Sequence, residues 1–362
     1  MRDLAVIAKI QDIKPIEGKD RIELATVENY TVIVEKGAYK VGDLVVYVFY
    51  ETVLPIRPEF EFLRDRCYNK MYNGFRIKAM KMGGVYSNGI VFPLSILSKS
   101  VNIKEGENVE KDIGVVKYAP EDFGEKKAEV VYGPFMKKLM KLPFIRRMVL
   151  GEKRIYPYPE TVEKSSETNI QILFDYYKEN YNDKEFYVTE KLEGQSATYM
   201  LIGKKREYRI YSHNVGRNPK GNGNWEIIGR KLDMYKRLKK LKTNYAVQGE
   251  IVGPGIQKNI YGLDELKFYV FKVTESDTGK VLTYHDLVIF CKYNGFDMVP
   301  EIAQVKGIPY DTLERCLAAS DAASTLNSNV PREGLVYRSM FDHTIGFKVK
   351  SREYAVWFEN VK

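Results

Sequence analysis

The sequence predicts an α+β protein in which a small β-barrel precedes a larger domain of strands interleaved with helices. Three observations carry this expectation. Residues 1–115 hold only short strand patterns divided by turn residues, strand and helix patterns alternate from about Asn169 onward, and the stretch between them follows neither period. The expected divisions are 1–115 for the barrel, 116–165 for a basic linker region and 166–362 for the second domain.

In the first region Ala5–Ile10, Ile22–Val27, Tyr30–Val34, Leu44–Phe49, Phe75–Met80 and Gly89–Val91 are rich in the β-branched and aromatic residues that favour strands. Glu17-Gly18-Lys19-Asp20, Lys40-Val41-Gly42-Asp43 and Met82-Gly83-Gly84 supply the turns. Short strands with a basic surface are the content of an OB-like barrel, although a barrel used only for packing has the same pattern. Tyr68, Tyr72, Phe75 and Tyr86 interleave with Arg64, Arg66, Lys70, Arg76, Lys78 and Lys81. Such a surface suits single-stranded nucleic acid, because aromatics stack on bases while cations track phosphates. Core aromatics beside solvated cations are the alternative. Further on, Met136–Arg154 carries seven Lys/Arg among apolar residues. Pro143 interrupts any continuous amphipathic helix there, so a linker with a basic, nucleic-acid-facing side is expected rather than a membrane-surface helix.

In the second domain Glu185–Thr189, Ala197–Ile202, Tyr208–Ser212, Tyr245–Val252 and Lys267–Val273 read as strands. Trp225–Leu241 reads as one helix, since Ile228, Leu232, Tyr235, Leu238 and Leu241 follow the helical period. Asp311–Leu317 opens another, with Asp311 and Glu314 in capping-box relation. Gly334–Arg338 and Gly346–Lys350 are the last strands.

Composition narrows the class. No apolar run approaches the ~20 residues of a membrane span, and Met1-Arg2-Asp3 leads into a strand pattern rather than a signal peptide. Cys67, Cys291 and Cys316 are odd in number and far apart, so neither a disulfide framework nor a zinc site is indicated. An intracellular, cytoplasmic location follows as an expectation, or a host cytoplasm if the chain is viral. The net charge of +9 makes polyanions plausible partners through counterion release, but it also suits simple solubility.

The chemistry concentrates in Thr189-Glu190-Lys191-Leu192-Glu193-Gly194. On a strand, Lys191 and Glu193 project to the same side. A lysine becomes a nucleophile only on losing its proton, which calls for a pKa depressed by burial or nearby positive charge. A metal ion near Glu193 would supply that charge, and Gly194 would let the backbone pass close to a phosphate. Further motifs follow in order: Gln248-Gly249-Glu250, then Gly253-Pro254-Gly255-Ile256-Gln257-Lys258-Asn259, the aromatic strand around Phe268 and Phe271, Glu333-Gly334-Leu335-Val336, and Phe347-Lys348-Val349-Lys350. Lys348 and Lys350 share a strand face and could both grip phosphates. Glu193, Glu250 and Glu333 could converge on a hydrated divalent ion, which prefers oxygen ligands.

This ordered set resembles the covalent nucleotidyltransferase superfamily of RNA ligases, DNA ligases and capping enzymes, over roughly residues 155–352. Within it the chain is most similar to the ATP-dependent RNA ligases of the Naegleria type, which place an OB-like domain before the catalytic one. Glu167-Thr168-Asn169-Ile170-Gln171 looks like that group's segment ahead of the nucleophile motif, and the Gly-Pro-Gly-Ile-Gln-Lys-Asn stretch is the most specific single match. The resemblance implies antiparallel sheets enclosing an ATP cleft, with Lys191 carrying AMP covalently. It places Glu190 and Gln171 near the adenine, Phe271 stacked on it, and Asn214 among the nucleotide contacts. Glu193 would touch the ribose or organise the metal shell, Glu250 and Glu333 would hold metal-bound waters or the ribose, and Lys348 and Lys350 would bind the phosphates. The implied cofactors are ATP and Mg²⁺ or Mn²⁺. Two positions depart from the family. Glu193 stands where Asp is usual, and Ser212-His213-Asn214 where Ser-Arg-Asn is usual, so that His213 takes the arginine's contact or Arg217 reaches in.

The expected activity joins 3′-hydroxyl and 5′-phosphate RNA ends, at nicks, through lysyl-AMP and RNA-adenylate. The alternatives are a DNA ligase, a capping-type nucleotidyltransferase, or a nucleic-acid-binding protein with a degenerate ligase domain. Intact Lys191, Glu250, Glu333, Lys348 and Lys350 argue against the last. The expected partner is RNA, as a nicked duplex or as free ends, with no membrane and a monomeric chain.

Overall fold

In the computed structural model the described residues are 3–118, 157–164, 167–213 and 215–361. They form two compact units: residues up to Tyr118 together with Arg352–Val361, and residues from Pro157 to Ser351. The basic segment Met136–Arg154 lies outside the described residues, as does Asn214.

The first unit is built on strands Ala5–Pro15, Ile22–Val27, Tyr30–Glu35, Leu44–Phe49 and Gly89–Phe92, all antiparallel. Ala5–Pro15 is long enough to pair with Leu44–Phe49 through its first half and with Ile22–Val27 through its second, across an irregularity at Ile10/Asp12. The Asn88 amide donates to the Thr31 carbonyl at 2.8 Å, drawing the edges of this sheet together. Both faces of the central strands are covered. Ala5, Ile7, Val46 and Val48 pack with Phe60, Phe75 and Phe92, while Val6, Ala8, Val45 and Tyr47 pack with Val32 and Phe49. That is why these strands read as continuous apolar runs instead of alternating. The barrel-first, α+β architecture expected from the sequence is the one observed.

The aromatic and basic cluster is divided by this packing. Phe75 is fully buried in the core, so it is not a stacking platform. The Arg64 guanidinium bridges Glu61 at 2.7 Å and lies over Tyr68. Arg76 lies 3.6 Å from the Tyr118 ring centroid and is ion-paired with Glu359 on the C-terminal helix Arg352–Asn360. That helix, expected within the second domain, thus groups with the first unit, and Arg352 also lies over Tyr86. Arg66, Lys70 and Lys81 stay exposed.

The second unit holds two sheets. One orders its strands as Thr168–Asn169, Gly346–Lys350, Gly334–Ser339, Glu185–Lys191 and Glu301–Lys306; the other as Gly216–Arg217, Glu207–Tyr211, Gln195–Ile202, Tyr245–Val252, Lys267–Glu275 and Asp297–Met298. Pairing is antiparallel except at Thr168–Asn169 and Asp297–Met298. The expected helix 225–241 is two, Asn224–Lys231 and Met234–Lys240, because Asp233 takes a left-handed φ of 49° between them. The helix expected from Asp311 runs over Leu313–Ser320, with the Thr312 side chain as its N-cap.

Glu359→Ala strips a part-buried guanidinium of its carboxylate and should destabilise the first unit by about 1–3 kcal/mol. Lys70→Ala should cost under about 0.5 kcal/mol. Chemical denaturation of the full chain compares them, and equal midpoints would contradict the docking of the helix.

Candidate active site

Strand register assembles the site. Lys191 lies opposite Gly334, which lies opposite Lys350; Thr189 opposes Val336, which opposes Lys348; Tyr187 opposes Arg338, which opposes Gly346. Direct partners share a face and alternate residues take the other. The other face carries Phe186, Val188, Leu335, Tyr337, Phe347 and Val349, which form a core with Ile170, Phe174 and Tyr177. A period of two thereby separates chemistry from packing. Gly334, at φ 155°, stands between Lys191 and Lys350, where a Cβ would lie 2.2 Å from the Val349 carbonyl oxygen. Only glycine fits there, and it leaves the space between the two lysines open.

Lys191 Nζ donates to Glu333 Oε1 at 2.5 Å. Burial pulls the Lys191 pKa down, but the Glu333 and Glu193 carboxylates outweigh burial and the Lys350 charge, leaving it above the ordinary lysine value. The protein's own groups therefore do not supply the depression that a nucleophilic lysine needs. The depressed lysine is Lys348, at about 8, through burial and the charges of Lys191 and Lys350. Three amine side chains thus share one face, with Lys191 held charged by the Glu333 carboxylate.

The turn after Lys191 is fixed from the opposite sheet. The Glu193 amide donates to the Tyr261 hydroxyl at 2.8 Å. A Cβ on Gly194 would lie 2.4 Å from the Ile251 carbonyl oxygen and 2.8 Å from Glu250 Cγ. The close neighbour that requires this glycine is therefore strand Tyr245–Val252, and it brings Glu250 beside the nucleophile turn. Tyr261 closes the Gly253–Gly262 loop, whose Gln257, Lys258 and Asn259 all have left-handed φ. Three such residues in a row are costly, and Asn259 braces them by bonding Leu263 in both directions. Nothing periodic in the sequence marks Tyr261, and sequence reasoning missed it.

Other expected residues are placed differently. Glu190 points to the core face, where Ser324 Oγ donates to it at 2.5 Å, the Thr325 amide at 2.8 Å, and the Thr325 hydroxyl as well. Its side chain thereby braces residues 324–325. Gln171 is buried, its amide bonded to the Asn169 side chain, beside the position where Asn169 pairs with Lys348. Phe271 is buried on the opposite sheet, with the Arg338 guanidinium 5.3 Å from its ring centroid. Arg217 lies over Trp225 at 4.3 Å and 3.4 Å from the buried Glu226, while His213 is exposed.

Among the described residues no three His, Cys, Asp or Glu side chains are already gathered as a metal-binding group. Glu193, Glu250 and Glu333 nevertheless fit a hydrated divalent ion, which keeps several of its own waters and takes only one or two carboxylates directly. Glu333 Oε2 is buried without a hydrogen-bond partner, an acceptor that such an ion or its water would satisfy.

Because Lys348 loses its proton near pH 8, pyrophosphate should bind more weakly at about pH 9 than at about pH 7, by up to about tenfold for one lost charge. Lys348→Met should bind weakly at both and flatten the profile. Calorimetric titration decides; a flat profile in the parent would count against the depressed Lys348.

The chain was compared with known proteins. Residues 4–94 match a model of an OB-fold domain, and residues 184–352 match the RNA ligase family model. A search of curated proteins finds no match. Among solved structures, a Naegleria gruberi RNA ligase variant with AMP and Mn is 26% identical, with 98% of each chain covered and a TM-score of 0.79. A variant of the same ligase with ATP and Mn is 26% identical, covering 97% of this chain and 98% of that one, at a TM-score of 0.79. The Naegleria gruberi ligase with pyrophosphate gives 26% identity, 98% coverage of each chain and 0.79. An OB-fold domain thus stands ahead of an RNA ligase domain, and the chain is similar to the Naegleria gruberi RNA ligase along nearly its whole length.

Proposed function

We propose that the chain seals RNA ends at nicks through a covalent AMP on Lys191. The observation that supports this most is the register that puts Lys191, Lys348 and Lys350 on one face around Gly334, with Glu333 against Lys191. Lys191 Nζ, once deprotonated, attacks the α-phosphorus of ATP; the P–N bond forms, the bond to the bridging oxygen breaks, and pyrophosphate leaves. AMP then passes to an RNA 5′-phosphate, and a 3′-hydroxyl displaces it to form the phosphodiester. Lys348 and Lys350 hold phosphate oxygens, and Phe271 offers a ring for the adenine. Glu333, with Glu193 and Glu250, would hold Mg²⁺ or Mn²⁺. When bound, such an ion neutralises carboxylate and phosphate charge.

The Lys191 proton is the barrier that this chain sets itself. Glu333 both accepts the hydrogen bond from the ammonium and stabilises its charge, so the amine is released when Glu333 is otherwise satisfied. Phosphoryl transfer of this kind depends mostly on positioning and on neutralising charge.

The first unit serves the RNA in this reading. Its exposed Arg66, Lys70 and Lys81 are the cations of the cluster left available to phosphates. Arg66→Ala, Lys70→Ala and Lys81→Ala combined should weaken binding of nicked RNA and flatten its salt dependence without loss of stability. An unchanged salt slope would remove this face from the account.

Incubation with α-labelled ATP and Mn²⁺ tests the covalent step. The parent should become labelled, and Lys191→Ala should lose the label entirely while keeping its fold. Parallel sealing of nicked all-RNA, mixed and all-DNA duplexes tests the substrate, and preference for all-DNA would overturn the RNA assignment.

A further inference from the structure

The far end of the second unit's larger sheet carries cations that the candidate active site does not use. Strand Gln195–Ile202 starts beside Gly194 in the nucleophile turn and ends about 25 Å away, at the usual rise, in a turn from Gly203 to Arg206. That turn presents Lys204 and Lys205. Helix Met234–Lys240 ends beside it, with Lys240 and then Lys242. All four lysines are exposed.

One side chain ties the two segments together. Arg206, left-handed at φ 52°, donates through Nη2 to the Leu238 and Leu241 carbonyls at 3.1 and 2.7 Å and through Nη1 to the Lys239 carbonyl at 3.2 Å. Its Nε donates to Asn244 Oδ1 at 2.9 Å. The buried Asn244 donates in turn to the Gly203 carbonyl and to Asp277, whose other oxygen accepts from the Gly203 amide. The turn is thus fixed against the helix end, and Lys204 and Lys242 line a recess of about 500 Å³ together with Arg206 and Asn244.

Local structure does not require these lysines. Cations near a helix C-terminus ordinarily compensate its open carbonyls, but Arg206 already serves three of them. Nor are the lysines neutralised by ion pairs. Nearby, Lys231 pairs with Glu265 and Lys236 with Asp233, whereas among the described residues Lys204, Lys205, Lys240 and Lys242 pair with no carboxylate. The two carboxylates of the recess, Asp277 and Glu275, bond Gly203, Asn244 and Thr278 instead. Like charges held at one spot repel, and a polyanion offsets that repulsion while releasing its own counterions. Among the described residues no aromatic ring lines the recess on which an unpaired base would stack, so paired RNA, which offers its phosphates, fits better than a loose strand.

We propose that Lys204, Lys205, Lys240 and Lys242 bind the phosphate backbone of a duplex RNA arm at a distance from the nick. The proposal rests on sealing at Lys191, because it is the duplex flanking that point which spans the 25 Å, roughly eight base pairs.

The test measures binding of the full chain to nicked RNA hairpins by fluorescence anisotropy over a range of salt. Arms of about five base pairs stop short of the cluster, and arms of about fifteen pass it. The parent should bind the long arms more tightly. Lys204→Ala, Lys205→Ala, Lys240→Ala and Lys242→Ala combined should weaken long-arm binding at least about tenfold and reduce its salt slope by about two to three, with short-arm binding unchanged. The same four lysines changed to Arg should bind like the parent. Exposed side chains seldom change stability much, so labelling of Lys191 by α-labelled ATP should match the parent in both variants. Parent-like long-arm affinity and slope in the alanine variant overturns the proposal. So does equal weakening on short and long arms, or an arginine variant that stays weak. A parent that takes no label on Lys191, yet whose long-arm binding depends on the four lysines, would instead sink the covalent reading and leave this surface standing.

Discussion

The contact between the Lys191 ammonium and the Glu333 carboxylate is the interaction around which the rest of the site is arranged. It exists because strand Glu185–Lys191 ends opposite Gly334, one residue after Glu333, so that ammonium and carboxylate meet at the strand end. The same register brings Lys350 to the other side of Gly334 and Lys348 one pleat along. Three lysines so close together repel one another, and the carboxylates of Glu333, Glu193 and Glu167 act against that repulsion. The cost falls on Lys348, which is pushed to about 8 while Lys191 remains firmly charged. An anion at the lysines would relieve their mutual repulsion, and a cation at Glu333 would weaken its hold on the Lys191 proton.

Much of this was legible in the sequence, because a strand's period of two assigns faces without reference to the rest of the chain. Lys348 could be placed with Lys350 from it, while Lys191 joins them only through the strand register. The same period already argued that Glu190, next to Lys191, must point away from it, and the structure shows it bracing Ser324 and Thr325. Arg338 likewise falls on the face of Gly334 and Val336, opposite to that of Leu335 and Tyr337.

What was not legible depends on contacts between distant segments. Arg76 meets Glu359 across 283 positions, and no local pattern distinguishes that arginine from Arg66 or Lys70 as a phosphate contact. Tyr261 reaches Glu193 from a loop of successive left-handed residues, a conformation that Asn259 favours but Gln257 and Lys258 do not advertise. The Lys191 pKa depends on distant residues in the same way. Burial and neighbouring lysines were foreseeable, but the Glu333 contact that reverses their effect comes from a residue 142 positions away.

The central claim is that Glu333 keeps Lys191 protonated until its charge is met by a cation. Titration of the lysine side chains by NMR, on the full chain with labelled lysine and Lys191→Arg for assignment, measures this directly. Without divalent ions Lys191 should titrate above an ordinary lysine and Lys348 near about 8, and adding Mg²⁺ should lower the Lys191 value. A Lys191 that titrates below the ordinary value in the metal-free chain, or one that does not respond to Mg²⁺, would contradict the account.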